Sequence, residues 1–553
     1  VLSAVESEFQ NIIDLESFMK ICEVISPIDS KNLYEQTLIK AFHYKSVRPS
    51  HLIQFDSRLP PDWYCSPWYS LYPQSFSKLA EQLKYVRELG FENCYIISHY
   101  ESEMLDCGFD VSGYKARKCL GGEKGWEHVM STGIQLGIRI LTDGVFNHVA
   151  LSHEWVKNAR KESESATTLN DLKHIWRRFI IKNHREKIHQ FVNEHGDVVC
   201  EYSDGNAQNY AVVNQRCICN CAQKNDYLHS VFIPIQCHNF SQNDANHSQF
   251  GFQFHRSFAK NTVDLNLRET DNLLDFCDIL GTEFNQGIYG KRFDAVAHWI
   301  DKGELYSWNK HDKTVQKACL LYFQCFSSII TSSKAIIIPE LVQSTCQIVD
   351  YESQISKEFP NPFKNTSNPR MYFNFQAQAG LRTVLSLEQH KTATQRDCER
   401  IFWDNVDITQ GNPMPNVLWM NLLDHHDDIF VGLVERQYRA LVCERIRENG
   451  GVVYNNGLSG ALRIMNLIGG NAEKMKCGLL LMYLLNGTPM LYYGMEFGMT
   501  SNVRQAWRNA VELKNSKKGL TDLRECFEPR DLMRGTPRKN EEENPQISMF
   551  VKR

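Results

Sequence analysis

GKRFDAVAH, Gly290 to His298, is the stretch that decides the fold. It opens as a strand, and Arg292 and Asp294, two residues apart, share one face because side chains alternate along a strand. Three other segments follow the same design, an apolar strand-like run that delivers a carboxylate at or just after its end. They are DGVFNH (Asp143 to His148), IIIPE (Ile336 to Glu340) and LLDHHD (Leu422 to Asp427). In a parallel α/β barrel the strand ends converge on one rim of the molecule. Asp294, Glu340 and Asp427 would meet there with one Arg and two His, a set suited to cleaving a glycosidic bond.

Outward from these segments the pattern predicts a (β/α)8 TIM barrel. Trp68 to Tyr72 reads as the first strand and CYIIS (Cys94 to Ser98) as the second. IRILTDGVFNH is the third, KRFDAV the fourth and AIIIPE the fifth. Met371 to Phe375, NVLWMNLLD and Met490 to Gly494 complete the set, with helical runs between most of them. The helix after the first strand, Phe76 to Leu89, puts Leu79, Leu83, Val86 and Leu89 on one face and stops at Gly90. Before the barrel, Leu15 to Ile25 and Leu33 to Phe42 carry apolar residues at helical spacing. Between Asn147 and about Phe254 lie more than a hundred residues, where a βα loop takes a handful. Within them, Asp171 to Glu194 reads as a solvated helix. The chain thus divides into a helical N-terminal extension (1–62), a first part of the barrel (63–148) and an inserted domain (149–255). A second part of the barrel (256–510) and a C-terminal segment (511–553) follow. In that segment ISMFVKR (Ile547 to Arg553) reads as the first strand of a β-sandwich.

Bulk properties narrow the partners. A net charge of -4 over 553 residues gives no electrostatic reason to expect nucleic acid or an anionic membrane surface. The longest apolar stretch, Cys477 to Leu485, is too short to span a bilayer. Eighteen cysteines lie scattered without a paired framework, which points to the cytoplasm; a start at Val1 also leaves room for a removed export signal. Cys217, Cys219 and Cys221 alternate in CICNC, a spacing read as free thiols or a local disulfide before zinc.

Taken together, the four motifs, their order, the long third loop and GTPMLYYGMEFGM (Gly487 to Met499) resemble the α-amylase family of retaining glycosidases and transglycosidases. The resemblance covers about residues 66 to 500. It implies Asp294 as nucleophile, Glu340 as acid/base and Asp427 as the carboxylate that grips sugar hydroxyls. Retaining enzymes hold nucleophile and acid about 5 Å apart. Arg292 would keep Asp294 ionised, and the apolar approach to Glu340 would raise its pKa. His148 and His426 would bind sugar hydroxyls; LDHHDD carries an extra His, so a shifted register stays open. Asp143 and Asn147 would be architectural, with Asn147 a calcium ligand in calcium-binding members. No cofactor is otherwise required. Ala297 and Met495 depart from the family's usual Lys and Asp.

The same resemblance bears on the substrate. LDCGFD is similar to motifs in which the first acid, here Asp106, caps a terminal glucose and the aromatic, here Phe109, stacks on the sugar plane. An Arg beyond the eighth strand pairs with that acid in pocket enzymes; Arg504, Arg508, Arg530 and Arg534 are candidates, with RDLMRG the most suggestive. This favours exo-action on an α-glucan, a maltooligosaccharide or sucrose. Short matches (PPDWY, GFD, LDHHDDI) are similar to amylosucrase and sucrose phosphorylase, so a sucrose-acting glucosyl transferase remains an alternative. A non-catalytic carbohydrate-binding homologue is another.

Overall fold

A computed structural model of the chain describes residues 2–163, 165, 171, 174–183, 257–258, 261–300, 310–364, 370–387, 394–407, 417–516, 528–534 and 544–551, with short strands between 189 and 254. At its centre are eight parallel strands: β1 (Trp68–Leu71), β2 (Asn93–Ile96), β3 (Arg139–Gly144), β4 (Ile288–Phe293), β5 (Ile336–Pro339), β6 (Arg370–Phe373), β7 (Val417–Leu422) and β8 (Thr488–Tyr492). Nearly every residue in them is buried. That is why they read as continuous apolar runs: a parallel sheet is covered on both faces. The hydrogen-bonded order is β5-β4-β3-β2-β1-β8-β7-β6. β5 and β6 come together at the remaining seam, giving a nearly closed barrel. From outside, Glu352 on the helix Thr345–Glu358 secures β6 at that seam. It accepts hydrogen bonds from Arg370 Nε (2.5 Å) and from the Tyr372 hydroxyl.

Helices cover the barrel as the sequence pattern requires. Phe76–Glu88 buries Phe76, Leu79, Ala80, Leu83 and Val86 against the sheet, and the Ser75 side chain caps its start. It ends at Gly90, whose φ of +92° is open to glycine and costly to other residues.

The N-terminal extension consists of four helices, Leu2–Phe9, Leu15–Ile25, Ser30–Ser46 and Ser50–Arg58. They pack on the helices Thr270–Gln286 and Lys310–Thr331, which flank β4. Lys40 Nζ lies 2.6 Å from an Asp278 oxygen, Thr37 Oγ1 lies 2.6 Å from the Tyr322 hydroxyl, and Arg48 Nη1 donates to the Phe284 carbonyl at 2.8 Å. Gly281 lets the Tyr44 ring lie directly on the helix backbone. These helices therefore brace the strand that carries Asp294.

The excursion after β3 leaves and returns on one antiparallel ladder, His148–Ala150 with Thr262–Asp264. Two features there and at the C-terminus differ from expectation. Asp171 to Glu194 is not one helix: Ile181–Asn183 pairs antiparallel with Phe252–Phe254, and His189–Val192 pairs with Val198–Glu201. Pairing with segments distant in sequence overrides local helical preference. Ile547 does not begin a sandwich strand either, because Pro545–Val551 is a helix. Pro is at home in a first helical turn, and the Asn544 side chain accepts from the Gln546 amide just before it. Of the alternating cysteines, Cys219 and Cys221 lie outside the described residues and Cys217 falls in the strand Arg216–Ile218. No helix among the described residues is long and apolar enough to cross a membrane.

A Cβ at residue 281 would overlap the Tyr44 ring. Gly281→Ala should therefore cost about 1–3 kcal/mol, the usual range for overpacking, in equilibrium urea denaturation. It should also speed proteolysis of residues 2–58. Unchanged stability would show that these helices are not seated on the barrel as described.

Candidate active site

β3, β4 and β5 are neighbours, with Arg292 opposite Asp143 on one side and Ile338 on the other. Their ends bring three carboxylates around one guanidinium. Arg292, 1% exposed, reaches Asp143 Oδ1 at 3.1 Å and Asp294 Oδ1 at 2.5 Å through Nη1, and Glu340 Oε1 through Nη2. Asp143 and Glu340 are held from a second side, and the backbone that carries Asp294 is fixed beside them. The Tyr95 hydroxyl and the Ser98 amide donate to Asp143, both at 2.6 Å. The Ala295 amide donates to Glu340 Oε2 at 2.9 Å, and the Trp299 indole donates to the Asp294 carbonyl at 3.1 Å. Ala295 has a left-handed φ of +51°, a strained turn of the kind that gathers at functional sites.

Electrostatics separates the acids. Burial pushes the Asp294 carboxyl up to about 6, against the pull of Arg292 and with a further push from Asp143. Glu340 rises to about 7, again from burial, opposed by Arg292 and reinforced by Asp294 and Asp427. One guanidinium does not neutralise three adjoining carboxylates, so near neutrality Glu340 is the group that keeps the proton.

The opposite wall comes from the loops after β2 and β7 and from residues 528–534. Arg530 pairs with Asp106 through Nη2, with Glu528 through Nε at 2.7 Å, and lies 3.5 Å from Asp427 Oδ1 through Nη1. Burial alone would raise Asp427, but Arg530, with His426 and Arg534 behind it, holds it well below the usual carboxylate range. The acids of LDHHDD have different partners: the Tyr454 hydroxyl donates to Asp428, Arg530 lies against Asp427, and Asp424 is turned away from both. Asp424 is taken up by Arg382 and by the Ile464 amide at 3.1 Å, so it belongs to the fold. Among the four arginine candidates, Arg530 makes the pair with Asp106.

Two side chains differ from expectation. Phe109 does not present a free face for a sugar plane: its ring stacks on His426 (centroids 5.5 Å apart, 15° between planes). The guanidinium carbons of Arg292 and Arg534 lie 5.4 and 5.9 Å from its centroid. His148 has its ring nitrogens engaged, Nε2 with the Phe109 carbonyl at 3.1 Å and Nδ1 with Asn147 Nδ2 at 3.2 Å. It thus holds the Phe109 loop. His426 is the reverse case: buried, with both ring nitrogens lacking a partner among the described residues. Buried polar atoms left this way are matched by a ligand or water. Asn147 is buried beside His148; among the described residues no group of three His, Cys, Asp or Glu side chains is placed to hold a metal ion. Tyr95, Trp299 and the Ala295 amide escaped the sequence reading; each acts through a contact that spacing alone does not reveal.

The model of the alpha-amylase catalytic domain matches residues 76–411. The chain belongs to the alpha-amylase family. Among curated relatives, the trehalose synthase/amylase TreS of Mycolicibacterium smegmatis is 20% identical over 436 residues, 78% of this chain and 61% of that protein. An oligo-1,6-glucosidase of Saccharomyces cerevisiae is 30% identical over 113 residues, 18% of this chain and 19% of that one. The matched segment thus spans about a fifth of the glucosidases and under two thirds of TreS. Among solved structures, sucrose 6F-phosphate phosphorylase from Thermoanaerobacter thermosaccharolyticum superposes with a TM-score of 0.56 at 13% identity, covering 88% of this chain and 83% of that one. Trehalulose synthase MutB from Pseudomonas mesoacidophila gives 0.53 at 18% identity, covering 89% and 77%.

Arg292→Leu tests the electrostatic account. Removing the shared cation leaves buried carboxylates uncompensated, a loss of about 3–5 kcal/mol at neutral pH. Their folded pKa values then lie further above the unfolded ones, so the folded state binds more protons and stability rises as pH falls. Urea melts should show the variant recovering part of its deficit between pH 7 and 5; a deficit independent of pH would contradict this.

Proposed function

We propose that the protein is a retaining α-glucoside hydrolase or transglycosylase, acting on the non-reducing ends of maltooligosaccharides and α-1,4-glucans. The observation that carries this reading is the bridge from Arg292 to both Asp294 and Glu340. In this mechanism Asp294 attacks the anomeric carbon while Glu340 gives its proton to the departing glycosidic oxygen, leaving a covalent glucosyl-enzyme. Glu340, now a carboxylate, takes a proton from water or an acceptor hydroxyl. That oxygen attacks the anomeric carbon and releases Asp294. Asp427 and His426 bind hydroxyls of the glucosyl ring, and Asp427 stabilises the oxocarbenium-like transition state. Exo-action is supported by the Asp106–Arg530 pair, which ties the loop after β2 to residues 528–534 beside Asp427. A cytoplasmic setting is part of the proposal, because the twelve cysteines whose side chains are described are all free thiols.

Chromatography of products from maltoheptaose, sucrose and trehalose, with and without phosphate, tests the reading. Glucose or resized oligomers from maltoheptaose are expected. Fructose release would favour the sucrose-acting alternative, and phosphate dependence a phosphorylase. No turnover by folded protein on any donor would count against an enzyme of this class.

The two acids can be told apart. Asp294→Asn should lower kcat by at least about 10^4-fold on every donor. Glu340→Gln should lower it by about 10^2–10^4-fold on maltose and far less on α-glucosyl fluoride, whose leaving group needs no proton. In the wild type kcat/KM should fall on the alkaline side of about pH 7 as Glu340 loses its proton. An alkaline limb that persists in Glu340→Gln would remove Glu340 from this role.

A further inference from the structure

Eight arginines are buried among the described residues: Arg48, Arg117, Arg139, Arg292, Arg370, Arg382, Arg463 and Arg534. In seven of them at least one terminal nitrogen reaches an oxygen, as when Arg117 Nη2 donates to the Ser98 carbonyl or Arg463 Nη1 to the Tyr493 carbonyl. Arg534 is the exception. Its Nε donates to the His426 carbonyl at 2.7 Å, but Nη1 and Nη2 are buried with no acceptor among the described residues. Burying a guanidinium without acceptors is costly unless something meets it.

Its surroundings say what would meet it. The Arg534 guanidinium lies 5.7 Å from the Tyr72 ring and 5.9 Å from the Phe109 ring, a cation–π setting that offsets part of the cost and leaves the N–H groups unused. Beside it are the two unpartnered ring nitrogens of His426. Unmet donors and acceptors thus gather next to Asp427 and its neighbour Arg530.

We propose that Arg534 is a substrate-binding residue whose terminal nitrogens donate to hydroxyl oxygens of the terminal sugar ring. The inference rests on the reading of the site as a glycosidase pocket. A neutral hydroxyl suits the place better than an anion, because Asp106, Asp294, Glu340 and Asp427 already crowd it with carboxylates and Arg530 is committed to Asp106 and Glu528.

Calorimetric titration of the full chain with deoxynojirimycin, a glucose-shaped iminosugar, tests this without requiring turnover. Arg534→Met should bind about 10- to 100-fold more weakly than wild type, the span expected for hydrogen bonds to a charged group. Monodeoxy analogues then separate contact from mere packing. Removing the hydroxyl that Arg534 reads should weaken binding to wild type and leave binding to Arg534→Met unchanged. Should Arg534→Met fail to fold, Arg534→Lys, which keeps the charge but loses the fork, should still bind several-fold more weakly. Wild-type affinity in either folded variant, or the same deoxy profile in variant and wild type, would overturn the inference. If wild type binds no sugar mimic at all, the glycosidase reading fails with it.

Discussion

One guanidinium shared by three buried carboxylates is the constraint on which the rest of this structure turns. Arg292 sits on β4 between Asp143 on β3 and Glu340 after β5, and it also holds Asp294 from its own strand. Such a cluster is costly to bury, and removing one partner leaves charge uncompensated. The barrel meets this by bringing three adjacent strand ends into register and adding fixed donors from Tyr95, Ser98 and Ala295. Burial raises Glu340, the neighbouring carboxylates add to the rise, and the shared Arg292 only partly offsets it, which suits the proton-donor role proposed for it.

The barrel does not complete the site by itself. The wall opposite Arg292 depends on residues 528–534, beyond the last strand, where Arg530 joins the loops after β2 and β7 by pairing with Asp106 and approaching Asp427. Asp427 is thereby kept ionised beside a Glu340 that keeps its proton. The two carboxylates differ in charge because they face different arginines. On the far side, the N-terminal helices brace the helices around β4, which links the stability of the extension to the geometry at Asp294.

Much of this was legible in the sequence because the barrel strands are buried on both faces and so stand out as short apolar runs, each ended by a charged or polar residue. That Asp294 and Glu340 would lie at neighbouring strand ends beside Arg292 was legible through position; the roles given to them and to Asp427 belong to the proposal. What was not legible depends on contacts between distant segments. The sequence LDHHDD does not say which acid is structural; Arg382 and Ile464 decide it by engaging Asp424. The motif around Phe109 does not say that His426 and two guanidinium groups surround its ring. Nor does the charge pattern of Asp171 to Glu194 reveal that Ile181–Asn183 finds its partner at Phe252–Phe254. In ISMFVKR the apolar alternation suggested a strand, while Asn544 and Pro545 upstream carried the helix-start signal.

The central claim is that Asp294, poised by Arg292, is the atom donor that forms the covalent intermediate. The most direct test is mass spectrometry of the protein after incubation with a fluorinated α-glucosyl fluoride that forms the glycosyl-enzyme but releases it slowly, followed by peptide mapping. The account predicts one glucosyl adduct per chain, on the peptide that contains Asp294. An adduct on a different carboxylate, or turnover of the reagent with no adduct at any stage, would contradict it.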